Sequence, residues 1–385
     1  MRLEYSAFIM PHIGDSYSQC ADRFAIDKNT HRFAVADGVG ASFFPEVWAE
    51  LVVKDFKDHG LFEFEKDTIL LREPDLISSW KDEVTNKISN LTSKEKFLVE
   101  MSKEKCDFAA CTFVGLSIDN KEWHCKALGD SYLFVLDKDY KLITKVASQN
   151  GHDFDNFPEY FASEHGKNNG TIASESGNIS EVAYFILLTD AISDWFINAN
   201  DDKRNTLVNL RDRQSFESLI NTERASGKMK DDDTTAVIIR VMQDDSENIS
   251  VEEICNMDIT QLIKEEESFI VEQQAERLAK VAGEETTQSQ PLQTEESMSN
   301  NDAQTTDNIP SIDKETDNAE IKTQIDNNEL LELAQTMQEY EEKMGSIIRK
   351  INDIPRRYKK ELNKIRRKIK GYIKQTIKIL DKMKN

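Results

Sequence analysis

The sequence predicts an α+β fold, with antiparallel sheets covered by helices. Three observations carry that expectation. Nine segments rich in β-branched and aromatic residues follow one another in hairpin-like succession before residue 243. Two long helical segments interrupt them, and most of the chain's aromatic residues fall in the same stretch.

Strands are expected at 4–10 (EYSAFIM), 23–27 (RFAID), 31–37 (HRFAVAD), 110–119 (ACTFVGLSID), 122–128 (EWHCKAL), 131–137 (SYLFVLD), 141–147 (KLITKVA), 183–190 (AYFILLTD) and 234–241 (TTAVIIRV). The segment 45–56 is expected as a helix because Val47, Leu51 and Phe56 fall near one face with Trp48 and Val52 beside them. Residues 75–105 carry Leu76, Ile77, Trp80, Val84, Ile88 and Leu91 at gaps of three and four, which predicts a second, longer helix. Between 148 and 182 the chain is polar and dotted with glycine; a loop of this length inside a domain is often functional.

Beyond residue 243 the character changes. Residues 250–280 read as an amphipathic helix, and 283–328 lack aromatic residues and are crowded with Thr, Gln, Asn, Glu and Ser, the composition of a disordered linker. From 329 to 385 apolar residues return at helical spacing, as in Ile347, Ile351, Ile354, Tyr358, Leu362, Ile365 and Ile369, with Pro355 expected to break or kink the helix. The net charge of −22 hides an asymmetry: residues 346–385 hold 15 Lys and Arg against 3 Asp and Glu, so an acidic body carries a basic tail. For that tail, self-association as a coiled coil or pairing with a partner helix leads, ahead of an anionic membrane surface and of nucleic acid.

Composition also excludes function classes. No run approaches the roughly 18 apolar residues of a membrane span, and MRLEYSAFIM lacks the apolar region of a signal peptide, so a cytoplasmic protein is expected. Five cysteines without a C-x-x-C pair suggest neither a zinc site nor a disulfide framework.

The chemistry lies at the strand ends. In HRFAVADGVG an apolar strand runs into Asp37 and is followed at once by Gly38; FILLTDAISDW places Asp190 after a buried run, with Asp194 one helical turn on. KALGDSYLFVL puts Asp130 in a turn, MKDDDTTAVIIRV sets Asp231, Asp232 and Asp233 before a strand, and Asp22 precedes another. Each motif alone is ordinary turn chemistry. Converging, the carboxylates would repel one another and raise each other's pKa, for which a divalent cation compensates. An oxygen-only donor set suits Mg²⁺ or Mn²⁺ rather than zinc. Two such ions roughly 3.5–4 Å apart can activate a water and hold a phosphoryl oxygen. The glycine after Asp37 would leave its carbonyl free to approach a metal.

The ordered set ADRFAID, FAVADGVG, CTFVGLS, LGDSYLFVLD, FILLTDAISDWF and DDDTTAVIIRV resembles the metal-dependent protein phosphatases, the type 2C Ser/Thr phosphatases, and within them a bacterial branch. The resemblance covers residues 1–243. It implies a four-layer α-β-β-α sandwich over 1–245; composition and periodicity place a helical extension (246–282), the linker (283–328) and the basic amphipathic tail (329–385) after it. It further implies a binuclear Mn²⁺ or Mg²⁺ centre with Asp37 bridging, the Gly38 carbonyl, Asp190 and Asp232 completing the shell, and Asp22 acting near the metals. Asp130 and Asp194, with Asp190, match the residues that hold a third metal in some members. The implied reaction is direct attack of activated water on a phosphoprotein substrate made by a cognate Ser/Thr kinase.

Four positions depart from the family pattern. Tyr17 stands where an Arg often grips phosphate, Ala21 where a Glu is frequent, Val39 where eukaryotic members have a His, and Tyr132 where an Arg follows G-D-S. Phosphate binding and leaving-group protonation are thereby left without assigned side chains, with Arg23 and Lys230 as the basic candidates. The alternative expectation is a catalytically silent or weak phosphatase-fold module that binds and regulates.

Overall fold

The computed structural model describes residues 1–60, 73–119, 121–148, 158–243 and 248–285. By contact the chain divides into Met1–Asn90 with Val99–Ser289 on one side and Leu91–Leu98 with Gln290–Asn385 on the other; the sheets and the site belong to the first. The expected linker at 283–328, apart from its first residues, and the basic tail at 329–385 lie outside the described residues.

In chain order the strands are β1 (Arg2–Met10), β2 (Arg23–Asp27), β3 (Arg32–Ala36), β4 (Ala110–Cys111), β5 (Phe113–Ile118), β6 (Glu122–Leu128), β7 (Tyr132–Leu136), β8 (Leu142–Val146), β9 (Phe161–Ala162), β10 (Ala173–Asn178), β11 (Tyr184–Leu188), β12 (Thr234–Met242) and β13 (Ser250–Asn256). The helices are α1 (Pro45–His59), α2 (Glu73–Ser89), α3 (Ser93–Lys103), α4 (Asp190–Asn198), α5 (Asp201–Val208), α6 (Arg213–Ala225) and α7 (Ile259–Glu285). One sheet has the order β13-β1-β12-β11-β7-β8 and the other β10-β6-β5-β3-β2. Every pairing is antiparallel except that of β1 with β13.

Side-chain alternation sorts these strands into layers, because successive residues point to opposite faces. On β3, Phe33 and Val35 enter the core between the sheets, whereas Ala34 and Ala36 face α1 and α2. On β11, Phe185 and Leu187 enter that same central core and Ile186 and Leu188 face the opposite helices. Trp195 and Phe196 of α4, Leu207 of α5, Phe216 and Ile220 of α6 and Leu262 of α7 cover the first sheet. Val47, Trp48, Val52 and Phe56 of α1 cover the second, with Leu76, Trp80 and Val84 of α2. Three cores between four layers make an α-β-β-α sandwich.

All nine expected strands are present, the one at 110–119 interrupted at Thr112. The expected helix over 75–105 is two helices, because Thr92 and Glu95 form a capping box that starts α3: the Thr92 amide donates to Glu95 Oε2 at 2.9 Å, and the Glu95 amide to Thr92 Oγ1 at 3.4 Å. The helix expected from residue 250 begins instead as β13, which adds to the sheet through β1 and turns helical at Ile259. Its edge position leaves Glu252 and Glu253 exposed, which erases the apolar alternation that marks a strand. The stretch expected as a loop contains β10, paired to β6. Helices α5 and α6 lie where the sequence reading expects none, capped by Asn200 and Asp212.

Between the two sheets, Trp123 of β6 packs edge-on against Phe185 of β11, centroids 5.7 Å apart. Phe185 is fully buried. Phe185→Ala is expected to destabilise the chain by about 3–5 kcal/mol in urea denaturation; a loss under about 1 kcal/mol would mean that the central core does not hold the sheets together.

Candidate active site

The sandwich gathers strand ends from both sheets around one open cleft of ≈ 530 Å³. Asp37 and Gly38 follow β3, Asp190 follows β11, Asp232 and Asp233 precede β12, and Asp130 lies in the turn between β6 and β7. All six line the cleft, together with His12, Asp15, Gln19, Ala21, Val39, Glu46 and Lys230. Of the residues singled out in sequence, Asp22 is fully buried and outside the lining, and Asp194 is turned along α4 to accept from Asn198 Nδ2 at 2.7 Å.

The backbone here is fixed mainly by neutral groups. The Thr112 amide donates to the Asp37 carbonyl at 2.8 Å, the Asp37 amide donates to Thr112 Oγ1 at 3.3 Å, and Thr112 Oγ1 shares a 2.7 Å bond with Ser131 Oγ. Thr189 ties three segments: its amide donates to the Thr235 carbonyl at 3.1 Å, its Oγ1 accepts from the Thr235 amide at 2.9 Å, and its hydroxyl donates to Asp22 Oδ2 at 2.9 Å. Arg224 of α6 donates to the Pro11 carbonyl at 2.8 Å, to Thr234 Oγ1 at 2.8 Å and to the Asp232 carbonyl. Asp233 accepts from the His12 amide at 2.8 Å and the Ala21 amide at 2.6 Å, so it braces the cleft wall.

Two glycines are required by contact. A Cβ on Gly38 would stand 2.8 Å from the Ala21 carbonyl oxygen and 2.9 Å from Pro45 Cβ. Gly129, with φ +93°, sets the turn that presents Asp130; a Cβ there would meet the Glu159 carbonyl oxygen at 2.6 Å.

Charge crowds this end of the molecule. Burial, then the carboxylates of Asp190, Asp22, Asp130 and Asp232, push Asp37 well above the usual carboxylate range. Asp22 is pushed up by burial and by Asp233 and Asp190, against the pull of the Thr189 hydroxyl. Asp190 is raised by burial, with Lys230 lowering it and Asp232 raising it. Lys230 Nζ stands 3.2 Å from Asp190 Oδ2 and 2.7 Å from Asp232 Oδ2, a cation between two of the expected metal ligands. Those two carboxylates and burial act oppositely on Lys230: burial pulls its pKa down, and the carboxylates raise it above the ordinary lysine value.

The residues present fit a hard divalent cation by three tests. The cluster singled out in sequence offers carboxylate and carbonyl oxygens without a thiolate. Asp22 Oδ1 is a buried oxygen without a hydrogen-bond partner. A positive charge, the Lys230 ammonium, already sits between Asp190 and Asp232 as a stand-in ion. Among the described residues no three His, Cys, Asp or Glu side chains stand close enough together to form a ligating group.

Lys230, Asp233, Thr112 and Thr189 are site residues outside the expected metal set. Asp233 and Lys230 flank Asp232 in sequence, which is a legible signal; the two threonines carry none beyond standing next to a strand end. Arg23 is buried and spent on structure, its Nη1 donating to the Cys20 and Asp22 carbonyls at 2.7 and 2.6 Å and its Nε pairing with Glu50 at 3.1 Å. Tyr17 lies outside the lining, its amide donating to Glu266 and its hydroxyl to Glu217.

Residues 12–232 match the family model described as protein phosphatase 2C. No curated protein matches the sequence. Among solved structures, the serine/threonine phosphatase Stp1 from Staphylococcus aureus is 13% identical with a TM-score of 0.41, covering 63% of this chain and 96% of its own. PppA, a key regulatory component of T6SS in Pseudomonas aeruginosa, is 15% identical with a TM-score of 0.40, over 63% of this chain and 99% of its own. The Mycobacterium tuberculosis serine/threonine phosphatase PstP/Ppp is 17% identical with a TM-score of 0.38, over 63% and 99%.

Asp22, Asp37 and Asp190 have folded values raised above 3.8. The stability linked to them is therefore full below that pH and is lost as pH rises through their folded values. In EDTA, Asp37→Asn should match wild type in acid and melt progressively higher as pH approaches neutrality, by about 2–4 °C for each kcal/mol of repulsion relieved. Equal melting temperatures at every pH would refute the crowding.

Proposed function

The chain belongs to the protein phosphatase 2C family, and from that premise we propose that it hydrolyses phosphoserine and phosphothreonine esters in proteins at this cleft. The family makes it a phosphatase, an enzyme class that acts on phosphoprotein substrates and depends on Mn²⁺ or Mg²⁺. The observation that carries the reading is the convergence of Asp37, Asp130, Asp190 and Asp232 on one cleft, with Gly38 packed too closely to accept any side chain.

Asp37, the Gly38 carbonyl, Asp190 and Asp232 are the proposed holders of two ions, with Asp22 set behind them through Thr189 and with Asp130 and Asp194 as the proposed donors for a third. When bound, the ions supply Lewis acidity that makes water nucleophilic at neutral pH and offsets phosphoryl charge. Among the described residues the lining contains no Ser, Thr or Cys, so no hydroxyl or thiol nucleophile stands there. The proposed substrate is a phosphorylated segment of a protein, and the kinase that phosphorylates it is the implied counterpart. Residues 1–245 are the proposed catalytic part, with the sheet extended by β13 and covered by α7.

The test is hydrolysis of p-nitrophenyl phosphate by the full chain. Turnover is expected with Mn²⁺ and not with EDTA, and Asp37→Asn or Asp190→Asn should lower kcat/KM by roughly a thousandfold, the equivalent of about 4 kcal/mol. A well-folded, Mn²⁺-saturated protein without turnover would favour instead the alternative, a phosphatase-fold binding module.

A further inference from the structure

We propose that Lys230 is the residue that contacts the phosphoryl group, held between Asp190 and Asp232 while no divalent ion occupies that place. The inference rests on the phosphatase reading for its substrate and on geometry for its residue. A phosphate ester entering the cleft meets a wall of carboxylates, and among the described residues Lys230 is the one Lys or Arg in the lining. The usual source of positive charge is absent: Tyr17 is turned away into bonds with Glu217 and Glu266, and Arg23 is buried against Glu50 and two carbonyls.

The position of Lys230 explains both halves of its role. Its ammonium has three donors, of which two reach Asp190 Oδ2 at 3.2 Å and Asp232 Oδ2 at 2.7 Å. Its side chain is 46% exposed, so the third faces no burial cost in taking an oxygen from outside. A divalent ion and the ammonium want the same two oxygens. Whichever carries more charge at closer range wins, so metal binding must displace Lys230 from them. The four-carbon stem lets the displaced group stay in the cleft as a point charge for a phosphate oxygen. Lys230 thus lowers metal affinity in the free protein and raises phosphate affinity in the loaded one.

Calorimetry of the full chain tests both. Mn²⁺ titrated into EDTA-stripped Lys230→Met should bind about tenfold more tightly than to wild type, and inorganic phosphate titrated into the Mn²⁺-saturated variant should bind about tenfold more weakly. Lys230→Arg should recover phosphate affinity, and Lys230→Gln gives the same comparison in a polar variant should the methionine perturb folding. Unchanged Mn²⁺ affinity overturns the competition; unchanged phosphate affinity overturns the contact. Because neither reading needs turnover, a chain that fails to hydrolyse p-nitrophenyl phosphate yet shows both differences supports Lys230 and refutes only the hydrolytic reading.

Discussion

Repulsion among carboxylates at the shared end of two sheets is the constraint around which this molecule is organised. Asp22, Asp37, Asp130, Asp190, Asp232 and Asp233 reach that end from separate places in the chain, and four of them are raised by burial and by one another. Left to themselves they would splay the strand ends apart. The fold prevents this by holding the backbone with groups that carry no like charge. Thr112 and Ser131 clamp the end of β3, Thr189 ties β11 to β12 and to Asp22, and Arg224 anchors the approach to β12 on three oxygen acceptors. Position is set mainly by neutral bonds and by the buried guanidinium groups of Arg23 and Arg224, with Asp233 as the carboxylate of the six that braces the backbone, so Asp37, Asp190 and Asp232 are left facing the cleft.

The layers explain why such a site sits at an edge rather than in a core. Alternation along β3, β11 and β12 commits each inward residue to one of three cores, and this alternation ends where the strands end. The first one or two residues beyond each strand are free of the two-face rule, which makes them the place for a side chain that must meet others from different strands. Asp37 one residue past β3, and Asp190 two residues past β11 at the first turn of α4, occupy such places. At Asp190 the helix adds its own N-terminal field, with the Ala191 amide 2.5 Å from Oδ1.

Much of this was legible in sequence because strand ends are. An apolar run that stops at Asp-Gly, or at Thr-Asp before a helical pattern, shows both the element and a carboxylate that the fold brings to the cleft, and the nine strands and α1 follow the same logic. What escaped has a physical reason in each case. β13 is an edge strand with Glu252 and Glu253 in water, so it lacks the alternation that identifies buried strands. α3 begins inside a continuous helical periodicity, and only the Thr92–Glu95 cap, a local bond rather than a pattern, divides it from α2. α6 carries Phe216, Leu219 and Ile220 at helical spacing behind an Asp212 cap, a signal diluted by its polar neighbours. Within the site, Thr112 and Thr189 act through backbone bonds across distant segments, and a single sequence contains no record of such pairing.

The departures from the family pattern make sense together when charge is followed rather than residue identity. An Arg at position 17 would hold a fixed, planar charge on the connection between β1 and β2. Here that connection carries Tyr17, whose hydroxyl is taken up with Arg213 and Glu217 and whose amide is bonded to Glu266 of α7, so it serves to join helices. The positive charge stands instead at Lys230, on the approach to β12 and beside the very carboxylates whose repulsion most needs an opposing charge. A lysine can serve there where an arginine could not, since a compact ammonium on a flexible stem can yield its place to a smaller, more highly charged ion and remain near enough to meet the anion that follows. In the role proposed for Lys230, one cation serves the site both before and after a divalent ion binds.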